Sequence, residues 1–344
     1  MENKYKKIEE LLNESEEPGL IYSLKFPGLE GKVADIERAF ITDQALHEND
    51  NKKILLEGMP VYDETGLTFS EPFFKRERMI ILGAGHVAVP LSMMAKMTGF
   101  YVVVIDDRED FANKERFPYA DEVICDRFER AIKKVEPTAC DYIVIITRGH
   151  MHDTECVETL LKYEEPVYTG LIGSRRRVAQ VFEGLVERGF SKGRLDNICT
   201  PIGLAIGAKT IEEIDISIMA EVIKRRRMDS VGNSYADRGD HDQQSMADMA
   251  SITKPCAIAT ILWDQGSTPR AAGASMAIFV DGTIVGSIGG GCIEGAVMHT
   301  AKELIGTGSY KIIRAKLDGS SAMAEGMTCG GEVVVLIEDA NFEP

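Results

Sequence analysis

Between Arg78 and Met228 short apolar runs alternate with stretches of helical period, and few folds accept that pattern. Arg78–Leu82, Tyr101–Ile105, Glu122–Ile124, Tyr142–Ile146 and Val167–Ile172 read as strands. The fuller ones are apolar along their length, as in strands buried on both faces. Helical patterns lie between them, from Val87 to Thr98 and finally from Ile211 to Arg227. Such alternation builds a parallel, doubly wound sheet. The first strand runs into Gly83-Ala84-Gly85-His86-Val87-Ala88, which opens a helix. In that context Gly83 permits a tight turn, Gly85 lets backbone approach a pyrophosphate, and Ala88 lets the helix close on the strand. The helix N-terminus offers free N–H groups and a favourable dipole to phosphate. Asp106 follows about 20 residues later, where a carboxylate accepts ribose hydroxyls and repels a 2′-phosphate. Together these features predict a Rossmann-like nucleotide-binding domain over residues 76–228. The alternative is the same fold with its crevice empty or holding another phosphate-bearing ligand.

The chain has 344 residues, enough for two domains, and its 44% apolar and 27% charged content is that of a globular protein. No run of 18 apolar residues predicts a membrane span. The start, Met1-Glu2-Asn3-Lys4-Tyr5-Lys6-Lys7, has no apolar core of a secretory signal, so a cytoplasmic protein is expected. A formal net charge of -16 repels phosphate backbones and argues against nucleic acid as a partner. Of two basic clusters, Lys224-Arg225-Arg226-Arg227 reads as a solvated helix face. The seven cysteines show no C-x-x-C pair and no zinc-like spacing, so neither a disulfide framework nor a structural metal is expected.

Around the central domain, residues 1–75 read as an α+β segment of unassigned role. It has a helix at Tyr5–Asn13 and strands at Gly19–Phe26, Lys53–Glu57 and Leu67–Phe73. Residues 229–252, rich in Asp, Ser, Gln and Gly, read as a flexible linker. Residues 253–344 read as a smaller α+β domain. Its strands are Cys256–Trp263, Ser275–Val280, Thr283–Ser287, Tyr310–Ala315 and Glu332–Ile337, with a helix at Cys292–Ile305. Asp281-Gly282 reads as a two-residue hairpin turn.

Further motifs sit where strands end. Thr147-Arg148-Gly149-His150-Met151-His152-Asp153 follows the fourth strand of the central domain. Its histidines and acid suit acid–base or ligand roles, with Asp153 as a helix cap the plainer reading. His86 either faces the crevice or caps its turn. Gly173-Ser174-Arg175-Arg176-Arg177, after the fifth strand, reads as an anion site at a helix start. In the last domain, Gly266-Ser267-Thr268-Pro269-Arg270 joins two strands. Gly289-Gly290-Gly291-Cys292 enters a helix, where a thiol gains thiolate character. Thr328-Cys329-Gly330-Gly331 is a second glycine-flanked cysteine. The alternative for both is tight backbone packing.

These motifs together resemble the XdhC/CoxI family of accessory proteins for molybdenum hydroxylases. The resemblance rests on Gly83–Ala88, Asp106-Asp107-Arg108, Thr147-Arg148-Gly149-His150, Ile172-Gly173-Ser174-Arg175-Arg176 and Pro201-Ile202-Gly203. It continues in Gly266–Arg270, Gly289-Gly290-Gly291-Cys292-Ile293-Glu294-Gly295 and Thr328–Gly331. It covers roughly residues 68 to 340. Family members usually place the small glycine-cysteine domain first, whereas here it comes last.

The resemblance implies a maturation factor, a cofactor-binding chaperone ahead of a catalyst. It would bind molybdenum cofactor (molybdopterin), protect it during sulfuration, and deliver it to the apoenzyme of a xanthine dehydrogenase-type hydroxylase. A cysteine desulfurase is implied as sulfur source, and the altered domain order suggests a homodimer. Cys292 and Cys329 would carry sulfur or ligand chemistry. Gly83, Gly85, His86, Ala88, Asp106, Arg148, His150, Gly173, Ser174, Arg175, Ser267, Arg270, Gly289, Gly290 and Gly291 would line ligand sites, with NAD(P) or another nucleotide as a further ligand. Two readings compete: an NAD(P)-dependent oxidoreductase with His150 as proton donor, and a sulfur-relay protein without molybdenum.

Overall fold

The N-terminal stretch does not stand apart from the rest of the chain. In a computed structural model, which describes residues 3–14, 19–42, 61–63, 66–74, 76–228, 243–316 and 331–340, one unit is Arg76–Ala236. The other combines Met1–Lys75 with Asp237–Pro344. Helix α1 (Lys4–Glu14) is followed by β1 (Gly19–Phe26), β2 (Glu30–Lys32), β3 (Glu37–Thr42), β4 (Val61–Asp63) and β5 (Gly66–Phe74). Strand β1 pairs antiparallel with β3 and β5, and β4 extends the β5 edge. Asn3 Oδ1 accepts the Tyr5 and Lys6 N–H groups (3.0 and 3.4 Å) and caps α1, a contribution of about 1 kcal/mol. The α1 stripe Tyr5, Ile8 and Leu12 is buried, as helical spacing requires.

The central unit contains β6 (Arg78–Leu82), β7 (Tyr101–Asp106), β8 (Glu122–Cys125), β9 (Tyr142–Ile145) and β10 (Tyr168–Leu171). Its helices are α2 (Ala88–Met97), α3 (Phe128–Val135), α4 (His150–Leu160), α5 (Arg175–Glu187), α6 (Lys192–Asp196) and α7 (Ile211–Arg227). The sheet order is β10-β9-β6-β7-β8 and every pairing is parallel. This is the Rossmann-like α/β fold expected from the sequence. The order reverses between β6 and β9, so the ligand crevice of such a sheet opens beyond their carboxyl ends. Alternate residues of one strand feed two cores. Met79 and Ile81 pack with α2 and α7, and Ile80 and Leu82 with α3, α4 and α5. A continuous apolar run is the sequence signature of that two-sided burial.

The other unit continues with α8 (Gln243–Ala250), β11 (Cys256–Gln265), β12 (Ser275–Phe279), β13 (Ile284–Gly286), α9 (Gly291–Leu304), β14 (Ser309–Lys316) and β15 (Glu332–Ala340). Its second sheet, β13-β12-β11-β15-β14-β2, is antiparallel and takes its last strand from the N-terminal stretch. Ile8, Leu24, Phe26, Phe69 and Phe73 share a core with Leu262, Ile312 and Leu336. Each such side chain stabilises by about 1.5–3 kcal/mol when fully buried. Glu338 on β15 is held by Lys4 (3.3 Å) and Arg38 (2.7 Å). The stretches at residues 1–75 and 253–344, read separately from sequence, therefore fold together.

Three further readings change. Residues 243–250 of the expected linker are helical. Met249 and Ile252 are buried with Tyr5, and Asn3 Nδ2 donates to Met249 O at 2.8 Å. The polar composition hid an apolar stripe at Met246, Met249 and Ile252. Residues 229–242 and the expected strand Lys53–Glu57 lie outside the described residues. The basic end of α7 is not wholly solvated, since Arg226 pairs with Glu77 (2.5 Å) and lies over the Phe100 ring (4.7 Å). The Asp281-Gly282 hairpin has a three-residue loop, Val280 to Gly282, closed by Phe279 N–H to Thr283 O (3.0 Å), with only Gly282 at positive φ. Among the described residues no helix is long and apolar enough to cross a membrane.

Candidate functional site

At the carboxyl edge of the parallel sheet, the turn between β6 and α2 contains two glycines with different reasons. Gly83 sits at φ 114°, and a Cβ there would lie 2.5 Å from the Ile146 carbonyl oxygen. Only glycine allows that turn. Among the described residues, Gly85 has nothing within 4 Å of an added Cβ, and neither has Gly149 across the crevice. Protein packing thus leaves both positions open toward the crevice. Ala88 is fully buried at the start of α2. His86 is exposed, and α2 has neither a side-chain cap nor an acidic residue in its first turn. Among the described residues His86 caps nothing, and no acid in the first turn opposes the positive end of the helix N-terminus.

Asp106 does not do what its position suggested. Its carboxylate is 2% exposed and accepts the Ala84 N–H (2.8 Å), the Arg108 N–H (3.1 Å), and Arg108 Nε and Nη2 (2.8 and 2.9 Å). Burial works against its charge, but the Arg108 guanidinium and the Ala84 N–H outweigh it and hold the carboxyl below its ordinary value. Asp106 therefore fastens the glycine turn to the end of β7. Next to it, Asp107 takes a bidentate pair from Arg148 (2.7 and 2.9 Å), which links the loops after β7 and β9.

The loop after β9 also differs from expectation. Helix α4 starts at His150, so Asp153 lies inside its first turn and is not the cap. Asp153 is buried, accepts the Thr147 hydroxyl (2.5 Å), and pairs with Arg177 on α5. His150 is exposed, whereas His152 packs on the Phe128 ring (5.4 Å). Ser174 caps α5 by accepting the Arg177 N–H at 3.3 Å, and Gly173 packs on Val178. Arg175 is the first residue of α5. Of that arginine cluster, Arg177 serves a buried acid in place of solvent.

In the other unit, loops gather around Gln265–Arg270. A Cβ on Gly289 would lie 2.9 Å from Pro269 Cβ, and one on Gly331 would lie 2.6 Å from the Ser267 carbonyl oxygen. Gly289 and Gly290, both at positive φ, lead into α9, where Gly291 and Cys292 are the first two residues. Glu294 Oε1 gathers the Ser287 hydroxyl (2.8 Å) and the Ile288 and Gly290 N–H groups (3.2 and 3.0 Å). Cys329 lies outside the described residues. Sequence reasoning placed Arg177 in an anion site, whereas it pairs with Asp153. Arg108 and Glu294 entered only as motif residues, without the bonds to Asp106 and to the Gly290 turn that the structure gives them.

Comparison with known proteins follows this division. A family model described as the XdhC Rossmann domain matches residues 79–222, and one described as the XdhC and CoxI family matches residues 252–315. The chain is 32% identical over 169 residues to a Bacillus subtilis (strain 168) protein described as a probable subunit of xanthine dehydrogenase, 49% of each protein. It is 30% identical over 151 residues to the uncharacterized protein YqeB of Escherichia coli (strain K12), 43% of this chain and 27% of YqeB. The chain thus spans half or less of the length of these curated relatives. A crystal structure described as a xanthine dehydrogenase from Bacillus halodurans superposes with a TM-score of 0.53 at 28% identity, over 67% of this chain and 68% of that one.

Proposed function

Because this chain belongs to the XdhC and CoxI family, we propose that it is an accessory factor for a xanthine dehydrogenase-type molybdenum hydroxylase. Its cargo is molybdenum cofactor, which it binds, protects during sulfuration and delivers to the apoenzyme. The carrying observation is the space beside Gly85 and Gly149 at the mouth of an uncapped helix N-terminus. A phosphate-bearing guest needs that backbone approach and those free N–H groups. Gly83, Gly85 and Ala88 hold its phosphate end. Arg148, His86, His150, Gly173, Ser174 and Arg175 are assigned to the same guest as further contacts. The corner formed by Ser267, Arg270 and Gly289–Gly291 serves the sulfur step, with Cys292 and Cys329 as the thiols and a cysteine desulfurase as sulfur source. The factor works in the cytoplasm as a homodimer.

The test is cofactor retention and transfer. Purified protein incubated with molybdenum cofactor retains molybdenum through desalting and activates apo-hydroxylase. Cys292→Ala and Cys329→Ala are expected to keep the fold by circular dichroism and lose transfer. Unchanged activation by both single variants and by the double variant would remove the thiols from the account.

A further inference from the structure

The acid at the end of β7 has no capacity left for a ribose. An ionised carboxylate offers about four lone-pair sites. On Asp106 the backbone and side-chain N–H groups of Arg108 and the Ala84 N–H supply a donor to each. The group presented at that position is Arg108 itself, whose side chain is 30% exposed. Nε and one Nη2 hydrogen serve Asp106. The remaining guanidinium hydrogens have no hydrogen-bond partner among the described residues. Arg108 is fixed in place, with its guanidinium 3.7 Å from the centroid of the Phe111 ring. A second guanidinium, that of Arg116, lies 4.8 Å from the same ring, with Nη2 3.5 Å from the Ala84 carbonyl oxygen of the glycine turn. Arg116 Nε is buried without a hydrogen-bond partner among the described residues. Of the nearest carboxylates, Asp106 and Asp107 are already paired, while Glu109 and Asp110 are exposed.

A ribose diol needs an acceptor here and finds donors. A phosphate monoester needs donors and finds two arginines braced on one ring. We propose that the Rossmann unit takes a nucleotide phosphorylated on the ribose 2′ position, of the NADP(H) type, in preference to its unphosphorylated counterpart. The inference rests on reading this mouth as a site for a phosphate-bearing ligand, and it reverses the discrimination that Asp106 suggests in the sequence.

The test is titration calorimetry of the full chain with NADPH, NADH and 2′,5′-ADP. NADPH is expected to bind at least about tenfold more tightly than NADH, the factor for one charge-assisted hydrogen bond, and 2′,5′-ADP to compete with it. Arg108→Gln should lower NADPH affinity about 10- to 100-fold and leave NADH binding nearly unchanged. Because Arg108 also holds Asp106, Arg116→Met provides a variant that keeps those bonds. It should lower NADPH affinity by a smaller factor, again without effect on NADH. Equal affinities, a preference for NADH, or binding of neither dinucleotide would each overturn the proposal. Because both guests would use the Gly85 mouth, molybdenum retention measured on dinucleotide-free aliquots of the same protein separates the two claims. Retention without dinucleotide binding sinks only this inference, and a 2′-phosphate preference without retention sinks only the maturation role.

Discussion

Each unit of the chain holds a glycine-rich turn in place with one carboxylate, yet the two arrangements leave opposite electrostatic endings. Asp106 ties the β6–α2 turn from outside the helix, and its charge is met by Arg108. Helix α2 has no acid in its first turn, so its N-terminal dipole stays available. Glu294 lies inside the first turn of α9 and binds the Gly290 N–H through its own carboxylate. That helix end is already neutralised. The first turn therefore keeps its N–H groups and dipole unopposed, whereas the second gives the Gly290 N–H to Glu294. Close approach of Gly289 to Pro269 is the distinctive property of the second.

Substitutions can break this contrast. The largest effect is expected from Gly83→Ala, since left-handed strain and a clash with the Ile146 carbonyl act together. The loss is about 3 kcal/mol or more in chemical denaturation. Gly85→Ala, two residues along, should change stability by less than about 1 kcal/mol and abolish cofactor retention. Equal destabilisation by the two would show that both glycines are structural. Asp106→Ala leaves the Ala84 N–H and a partly exposed guanidinium without their acceptor and should cost about 2–3 kcal/mol. Glu294→Ala, which strands only neutral donors, should cost about 1–2 kcal/mol. A reversed order would mean that the second turn is the more strongly tethered.

The pH dependence is a smaller effect and sharpens the comparison within each unit. Asp215 on α7 is buried, with no hydrogen-bond partner for its carboxylate among the described residues. Burial, with Glu212 adding to it, raises its pKa from 3.8 to about 7. In the other unit, burial pushes Glu71 up to about 7 despite the pull of Lys4. For a carboxyl raised on folding, the favourable contribution is complete below its ordinary value and is lost as pH rises toward 7. Asp106 is lowered, so its contribution is present above the ordinary carboxylate range and lost as pH falls. Asp215→Asn should therefore stabilise by about 1–2 kcal/mol at pH 8 and by nothing at pH 4. The same gain at both pH values would show that Asp215 does not titrate as described.

The parallel sheet was legible because its signals are local. Apolar runs, helical period and a glycine turn each occupy a few consecutive residues, and α7 begins and ends where its pattern does. The joining of the two chain ends was not legible. The β2–β14 pairing connects Glu30 with Lys311, and neither short stretch carries a mark of its partner. Helix α8 was hidden by composition. The position of Asp106 at the end of β7 was legible, but not its bonding. Its position is a local fact, whereas which donors fill its lone pairs is a tertiary one. Asp153 illustrates the same limit, because a helix start three residues earlier turns an expected cap into the buried partner of Arg177.

A phosphate-bearing cofactor in the mouth at Gly85 is the central proposal. The direct measurement is molybdenum retained after desalting, by wild-type protein and by Gly85→Ala side by side, with thermal unfolding as the check on folding. Stoichiometric retention is expected of wild type and none of an equally stable Gly85→Ala. Wild-type protein that keeps no molybdenum, or a variant that keeps as much as wild type, would contradict it.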